Sequence, residues 1–113
     1  MTCSLTQKTT RIRELNDALR RTLQGGRIMM TRGVEALGLM IVSQLIDHLR
    51  TYDRFEEGND PYGEHDFGAF DHDGNKFFWK IDYYSPSLDA GSEDPSDPSK
   101  TVRVLTLLLA EEY

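Results

Sequence analysis

Apolar residues recur at three- and four-residue steps over two long segments in the first half of the chain. The first stripe consists of Ile12, Leu15, Leu19 and Leu23. This spacing predicts a helix from Thr9. It should end at Gly25-Gly26, because glycine accepts the left-handed conformation that closes many helices. The opposite face, predicted to be in water, carries Arg11, Arg13, Glu14, Asp17, Arg20 and Arg21.

A second stripe predicts a helix from about Val34 to Tyr52. Its members are Leu37, Met40, Ile41, Leu45, His48, Leu49 and Tyr52. Gly38 weakens the first turn by about 1 kcal/mol relative to Ala, so the helix should be firmer from Leu39 onward. The short segment Arg27 to Thr31 lies between the two helices, and we predict a strand there.

The second half of the chain changes to a two-residue period. KFFWKIDYY is the strongest strand signal, dense in aromatic residues. Alternation places Phe77, Trp79, Ile81 and Tyr83 on one face, and Phe78, Lys80, Asp82 and Tyr84 on the other. The preceding HDFGAF alternates weakly and predicts the partner strand of a hairpin. Gly74 and Asn75 are expected to supply the positive φ angles of its turn.

The last segment, from Thr101 to Tyr113, is apolar at nearly every position. Periodicity alone leaves a buried helix open, but the β-branched residues favour a strand. The element order predicts an α+β fold, with two N-terminal helices packed on a small, mainly antiparallel sheet that contains a central β-hairpin. We predict a disordered N-terminus over residues 1–8 and a single domain over residues 9–113.

Composition excludes several classes of protein. The 113 residues are 38% hydrophobic, which excludes a fully disordered chain and allows one modest core. The longest apolar runs are four residues, far below the roughly 20 that a membrane-spanning helix needs. Cys3 is the only cysteine, so disulfides and cysteine-based metal sites are excluded within one chain. We predict a cytoplasmic protein without cofactor, signal peptide or membrane contact, and the oligomeric state stays open.

Charge is divided unevenly along the chain. Residues 1–50 carry 8 Lys and Arg against 4 Asp and Glu, whereas residues 51–113 carry 5 against 15. The arginines of the first helix form a stripe that phosphates would attract, but the acidic surplus repels a polyanion. We therefore predict no direct binding of nucleic acid. A solvated acidic surface that only maintains solubility is the plainest alternative.

The acidic region invites two chemical hypotheses. A metal site would use Asp60, Glu64, His65 and Asp66, joined by Asp71, His72 and Asp73. Consecutive residues on a strand point to opposite faces, however, and DHDGN lacks the glycine and glutamate spacing of a calcium loop. An enzyme would pair His65 as a base with Glu64 or Asp66, but no nucleophile motif accompanies them. We predict no catalytic residue and no metal site.

The favoured hypothesis is a contact surface for a protein partner. Closely spaced carboxylates can imitate the phosphates of DNA, and exposed aromatic side chains can anchor them. The partner would then be a nucleic-acid-binding complex with a basic channel. The predicted contact residues are Asp53, Glu56, Glu57, Asp60, Tyr62, Glu64, Asp66, Asp71 and Asp73.

Several segments together resemble a bacterial family of unknown function. They are RIRELNDALRRT, GGRIMMTRGV, NDPYGEHDFGAF, FWKIDYY and DPSKTVRVLTLLLAEEY, and the resemblance covers Thr9 to Tyr113. Similar proteins occur on proteobacterial chromosomes, plasmids and prophages. The resemblance implies no catalytic residue, but its mobile-element context implies an inhibitor of host defence, such as an anti-CRISPR or anti-restriction protein. A plasmid accessory or regulatory protein is a further alternative.

Overall fold

Helices cover one face of a four-stranded sheet in the computed structural model, which describes residues 5–113. The elements are α1 (Leu5–Thr22), β1 (Arg27–Met30), α2 (Arg32–Glu35), α3 (Leu39–Thr51), β2 (Phe67–His72), β3 (Asn75–Tyr84) and β4 (Val102–Leu109). Two 3-10 turns, Pro98–Lys100 and Ala110–Glu112, flank β4. The predicted α+β fold is confirmed. None of the helices within residues 5–113 is both long and apolar enough to cross a membrane.

The sheet has the strand order β1-β4-β3-β2. The hairpin of β2 and β3 is antiparallel, and β3 also pairs antiparallel with β4, with Trp79 opposite Leu107. The edge strand β1 runs parallel to β4, with Ile28 opposite Leu105. The hairpin is therefore confirmed, and one of the three pairings is parallel. The strand assignment of the last segment is confirmed over Val102–Leu109, whereas Ala110–Glu112 form a 3-10 turn.

The core lies between α1, α3 and the inner face of the sheet. Phe77, Trp79 and Ile81 are buried along β3, as the predicted alternation requires. They pack against residues from the three helices and from β4, namely Leu19, Val34, Leu45, Leu49, Leu105 and Leu107. Trp79 is fully buried at the centre of this cluster, so the inner face of β3 sets the position of both long helices.

The second predicted helix is interrupted. The chain forms the single turn α2, then leaves helical geometry and begins α3 after Gly38, whose φ of 89° is costly for any residue with a side chain. The sequence predicted a weak helical turn at Gly38, and the structure instead shows an interruption of the helix there. The stripe holds at Leu45 and Leu49, but Met40 is 76% exposed at the first turn of α3, and its placement in the buried stripe was wrong.

Several boundaries also differ from the prediction. Helix α1 ends at Thr22, before the expected Gly25-Gly26, and β2 spans Phe67–His72 instead of the segment HDFGAF. Helix α1 begins at Leu5, so residues 5–8 of the predicted disordered segment are helical, and residues 1–4 lie outside the described residues. In the hairpin turn, the positive φ angles belong to Asp73 (51°) and Gly74 (80°), and Asn75 already lies in β3. A two-residue turn with both φ angles positive matches the right-handed twist of the strands, and this places the turn one residue earlier than expected.

Candidate functional site

The loop between α3 and β2 is bound to α1 by a chain of polar side chains. The Asp17 carboxylate accepts hydrogen bonds from Arg20 Nη2 at 3.1 Å and from His65 Nδ1 at 2.9 Å. The same imidazole stacks on Phe55, with ring centroids 3.7 Å apart and planes within 4°. Asp17 therefore connects a buried arginine of the helix to the histidine of the acidic loop.

His65 adopts a backbone conformation that residues other than glycine rarely take. Its φ is 56°, in the left-handed region. Asp60 stabilises this turn, because its Oδ1 accepts from the His65 backbone nitrogen at 3.0 Å and its Oδ2 lies 3.6 Å from His65 Nε2. Asp60 is itself buried. These contacts give Asp60 and His65 structural roles in shaping the loop.

A second polar cluster fixes Glu64. Tyr83 donates its hydroxyl proton to Glu64 Oε1 at 2.9 Å, and Asn16 Nδ2 donates to the Glu64 carbonyl at 3.0 Å. The buried Asn16 also accepts from Arg103 Nε at 2.8 Å. Burial raises the pKa of the Tyr83 hydroxyl, which keeps it a hydrogen-bond donor. Glu64 is thus an internal acceptor.

Asp66 directly precedes β2, and its side chain is partly buried. Burial raises the pKa of its carboxyl above the ordinary value, and the neighbouring Glu64, Asp60 and Asp82 carboxylates raise it further. The ionised form therefore opposes folding. The folded state binds this proton more tightly than the unfolded chain does.

We expect Asp66→Asn to increase the free energy of unfolding at pH 7. The stabilisation from protonated Asp66 is complete below the ordinary carboxyl pKa of about 4, and it is lost as pH rises through the raised pKa of the folded state. The gain in the variant should shrink toward pH 4. Urea unfolding at both pH values measures it, and the exposed Asp47→Asn is the control. An equal gain at both pH values would contradict the burial argument.

An open groove of about 400 Å³ lies beside the end of α3 and the β2 strand. Its lining residues are His48, Thr51, Tyr52, Asp53, Arg54, Phe70 and Asp71. Asp53 and Asp71 are exposed there. Neither carboxylate forms an ion pair with any residue in the described part of the chain. The groove thus offers two carboxylates to an external cation, beside the guanidinium of Arg54, which lines it too.

Two histidines meet beside this groove, where both line a neighbouring, shallower cavity. His48 Nε2 of α3 lies 3.1 Å from His72 Nδ1 of β2, and the two rings are at 72°. His72 Nε2 lies 2.8 Å from Gln44 Oε1. The side-chain amide oxygen of Gln44 requires a donor, so His72 carries a proton on Nε2, and in the neutral ring its Nδ1 then accepts from His48. His48 also stacks on Phe70, with ring centroids 4.8 Å apart.

The structure divides the predicted contact residues into two groups. Asp60, Glu64 and Asp66 are engaged or partly buried inside the loop. The exposed group consists of Asp53, Glu56, Glu57, Tyr62, Asp71 and Asp73. Within residues 5–113, no cluster of three or more His, Cys, Asp or Glu side chains is placed to hold a metal ion. The hypothetical triad Glu64, His65 and Asp66 lies outside the lining of the groove.

Sequence reasoning missed the residues that hold the loop. Arg20, predicted to face water, is fully buried, and its cation lies over the rings of Phe55 and Trp79. Helical periodicity could not reveal this, because Arg20 fills a space created by α3 and the loop. His48 was predicted to pack in the apolar stripe, but it is exposed and paired with His72.

The family comparison agrees with the resemblance in part. A family model described as "Protein of unknown function (DUF3768)" matches residues 30–112. The chain belongs to the DUF3768 family. The match begins later than the predicted Thr9, and it contains the loop, the hairpin and the groove. The matched region of this DUF3768 protein leaves out the helix residues that anchor the loop between α3 and β2, namely Asn16, Asp17 and Arg20. No curated protein and no solved structure matches the chain.

Proposed function

We propose that this protein is a non-enzymatic binding module, which presents the Asp53 and Asp71 carboxylates of the groove to basic side chains of a protein partner. The observation that carries the proposal is the pair Asp53 and Asp71, which come from different elements and line one open groove. The specific form is an inhibitor of a nucleic-acid-handling defence complex, of the anti-CRISPR or anti-restriction kind. It would act by partial mimicry of DNA.

The groove supports this proposal by its chemistry. Two exposed carboxylates around one cavity suit a guanidinium or ammonium group, which forms charge-assisted hydrogen bonds with them. The aromatic rings of Tyr52 and Phe70 line the same cavity and supply apolar contact. The acidic field of the second half of the chain would accelerate encounter with a basic channel.

The enzyme alternative receives less support from the geometry. Tyr83 holds the Glu64 carboxylate, and Asp17 and Asp60 hold the His65 ring. These residues stabilise the loop and do not line the groove. We therefore assign the groove a binding role and assign the loop residues a structural one.

We expect Asp53→Asn/Asp71→Asn to weaken partner binding by about tenfold or more, because a basic side chain of the partner would then be desolvated without a carboxylate to pair with it. The measurement is a tagged capture from proteobacterial lysate at low and high salt, with the affinity for the captured protein then determined directly. The matched control is Glu35→Gln/Glu111→Gln, which removes the same charge from exposed positions outside the groove.

The outcomes distinguish DNA mimicry from binding through the groove without mimicry. Capture of a nucleic-acid-binding protein that is displaced by duplex DNA and by salt supports mimicry. Equal binding by the parent and the groove variant would refute the groove as the contact surface. If a partner binds through the groove but competing DNA does not displace it, the protein is a binding module and the DNA-mimicry proposal is refuted.

A further inference from the structure

His48 and His72 are two of the three histidines of the chain, and their ring nitrogens meet at 3.1 Å between α3 and β2. We propose that this pair binds one divalent transition-metal ion, such as Zn²⁺, Ni²⁺ or Cu²⁺, with water molecules in the remaining coordination positions. Of the residues in the metal hypothesis drawn from the sequence, this site uses only His72 as a ligand, and it adds His48. It does not depend on the proposed partner.

The separation of the two nitrogens suits a shared ion. Imidazole nitrogens bind Zn²⁺ at about 2.0–2.1 Å. With 3.1 Å between His48 Nε2 and His72 Nδ1, both bonds can form with an angle of about 100° at the metal. That angle lies between the right angle of square-planar and octahedral sites and the tetrahedral angle. Both rings would have to turn away from the line that joins the two nitrogens, so that the two lone pairs aim at one point beside it.

His72 is already prepared as a ligand. Its Nε2–H donates to Gln44 Oε1 at 2.8 Å, which leaves the Nδ1 lone pair directed toward His48. A ligating histidine commonly donates its other ring proton to such an oxygen, which fixes the tautomer. His48 would bind through Nε2 after its proton moves to Nδ1 by exchange with water. The stacking of its ring on Phe70 limits its freedom and helps to hold it there.

The surroundings favour a cation and define its class. Asp53 and Asp71 line the adjoining groove, Asp47 lines the shallower cavity beside both histidines, and Asp73 Oδ2 is 3.6 Å from His72 Nε2. Their charge raises the local concentration of cations. Imidazole ligands select transition metals over Mg²⁺ and Ca²⁺. Two protein ligands make an exchangeable site that links α3 to the hairpin.

The test is calorimetric titration of tag-free protein at pH 7.5 in a Cys3→Ser background, which removes the only thiol. We expect one ion per chain, with Cu²⁺ bound more tightly than Ni²⁺ or Zn²⁺ and no heat from Mg²⁺. His48→Gln keeps a donor for His72, and His72→Asn keeps a short polar side chain. Each should weaken Ni²⁺ and Zn²⁺ binding by about tenfold or more, since one of two ligands is removed. The matched control, His65→Gln, should bind as the parent does.

A second readout does not depend on the variants. Electron paramagnetic resonance of the parent with one equivalent of Cu²⁺ should show coupling to two imidazole nitrogens. An absence of heat with all three transition metals, undiminished binding in His48→Gln and His72→Asn, or a copper spectrum without imidazole coupling would each overturn the site.

Discussion

Replacing Arg20 with alanine should lower the free energy of unfolding by about 3–5 kcal/mol, the usual cost of removing one partner from a buried charged pair. Arg20 is fully buried, and its guanidinium donates to the carbonyls of Leu49 at 3.0 Å and Tyr52 at 2.7 Å. It also donates to Asp17. The variant would leave the Tyr52 carbonyl without this donor. Leu49 would keep only its bond from the Tyr52 backbone nitrogen, and Asp17 would keep only its bond from His65.

The magnitude would be a large part of the whole, because small domains are stable by only about 5–15 kcal/mol. Urea unfolding followed by circular dichroism and by the single tryptophan measures the loss. Arg20→Lys should be intermediate, since an ammonium replaces the planar fork with a single point of charge. The matched control is Arg21→Ala, which changes an exposed neighbour and should stay within about 0.5 kcal/mol. Equal losses in the Arg20 and Arg21 variants would show that the buried network contributes nothing.

Gly68→Ala should destabilise the fold by about 1–3 kcal/mol, although alanine is the better strand residue. Gly68 lies opposite Trp79 in the hairpin register, and the indole ring covers it. A Cβ at this position would stand 2.4 Å from Trp79 Nε1 and 2.6 Å from Cε2. Trp79 is fully buried and cannot move away without disturbing the core, so the steric cost exceeds the gain in propensity.

Two comparisons isolate this contact. Gly58→Ala adds the same methyl group where no atom lies within 4 Å, and it should be neutral or slightly stabilising. In a Trp79→Phe background, where the indole nitrogen is absent, Gly68→Ala should cost less, and a double-mutant cycle measures the coupling. If alanine costs the same in both backgrounds, the glycine is not required by the indole ring.

The elements of this fold were predictable to the extent that local pattern determines them. The hairpin and the inner face of β3 follow from strict alternation around Trp79, and packing preserves that alternation. The break at Gly38 was visible only as a weak turn, because periodicity does not show where a helix is interrupted. Arg20 and His48 were misplaced because their environment is formed by segments about thirty and about twenty-four residues away.

The sequence predicted the candidate site only as a run of acidic residues. The structure divides these residues between an internally bonded loop and an open groove. An acidic run does not indicate which carboxylates turn inward. Asp60 stabilises a loop whose shape depends on the left-handed φ of His65, a feature that no sequence pattern records. Asp53 and Asp71 share the groove because α3 ends where β2 passes, which is a property of the tertiary fold.

The strand order also determines when the fold can be completed during synthesis. Strand β4 follows the other three strands along the chain, yet it lies between β1 and the hairpin, and within residues 5–113 β1 pairs with β4 alone. Until residues 102–109 leave the ribosome, the emerging chain holds one isolated strand and one hairpin, with Trp79 lacking its neighbour Leu107. Closing contacts between residues 27–30 and 104–107 spans most of the chain, which is the kind of pairing that slows folding. The nascent protein would therefore complete its core only when β4 joins the sheet.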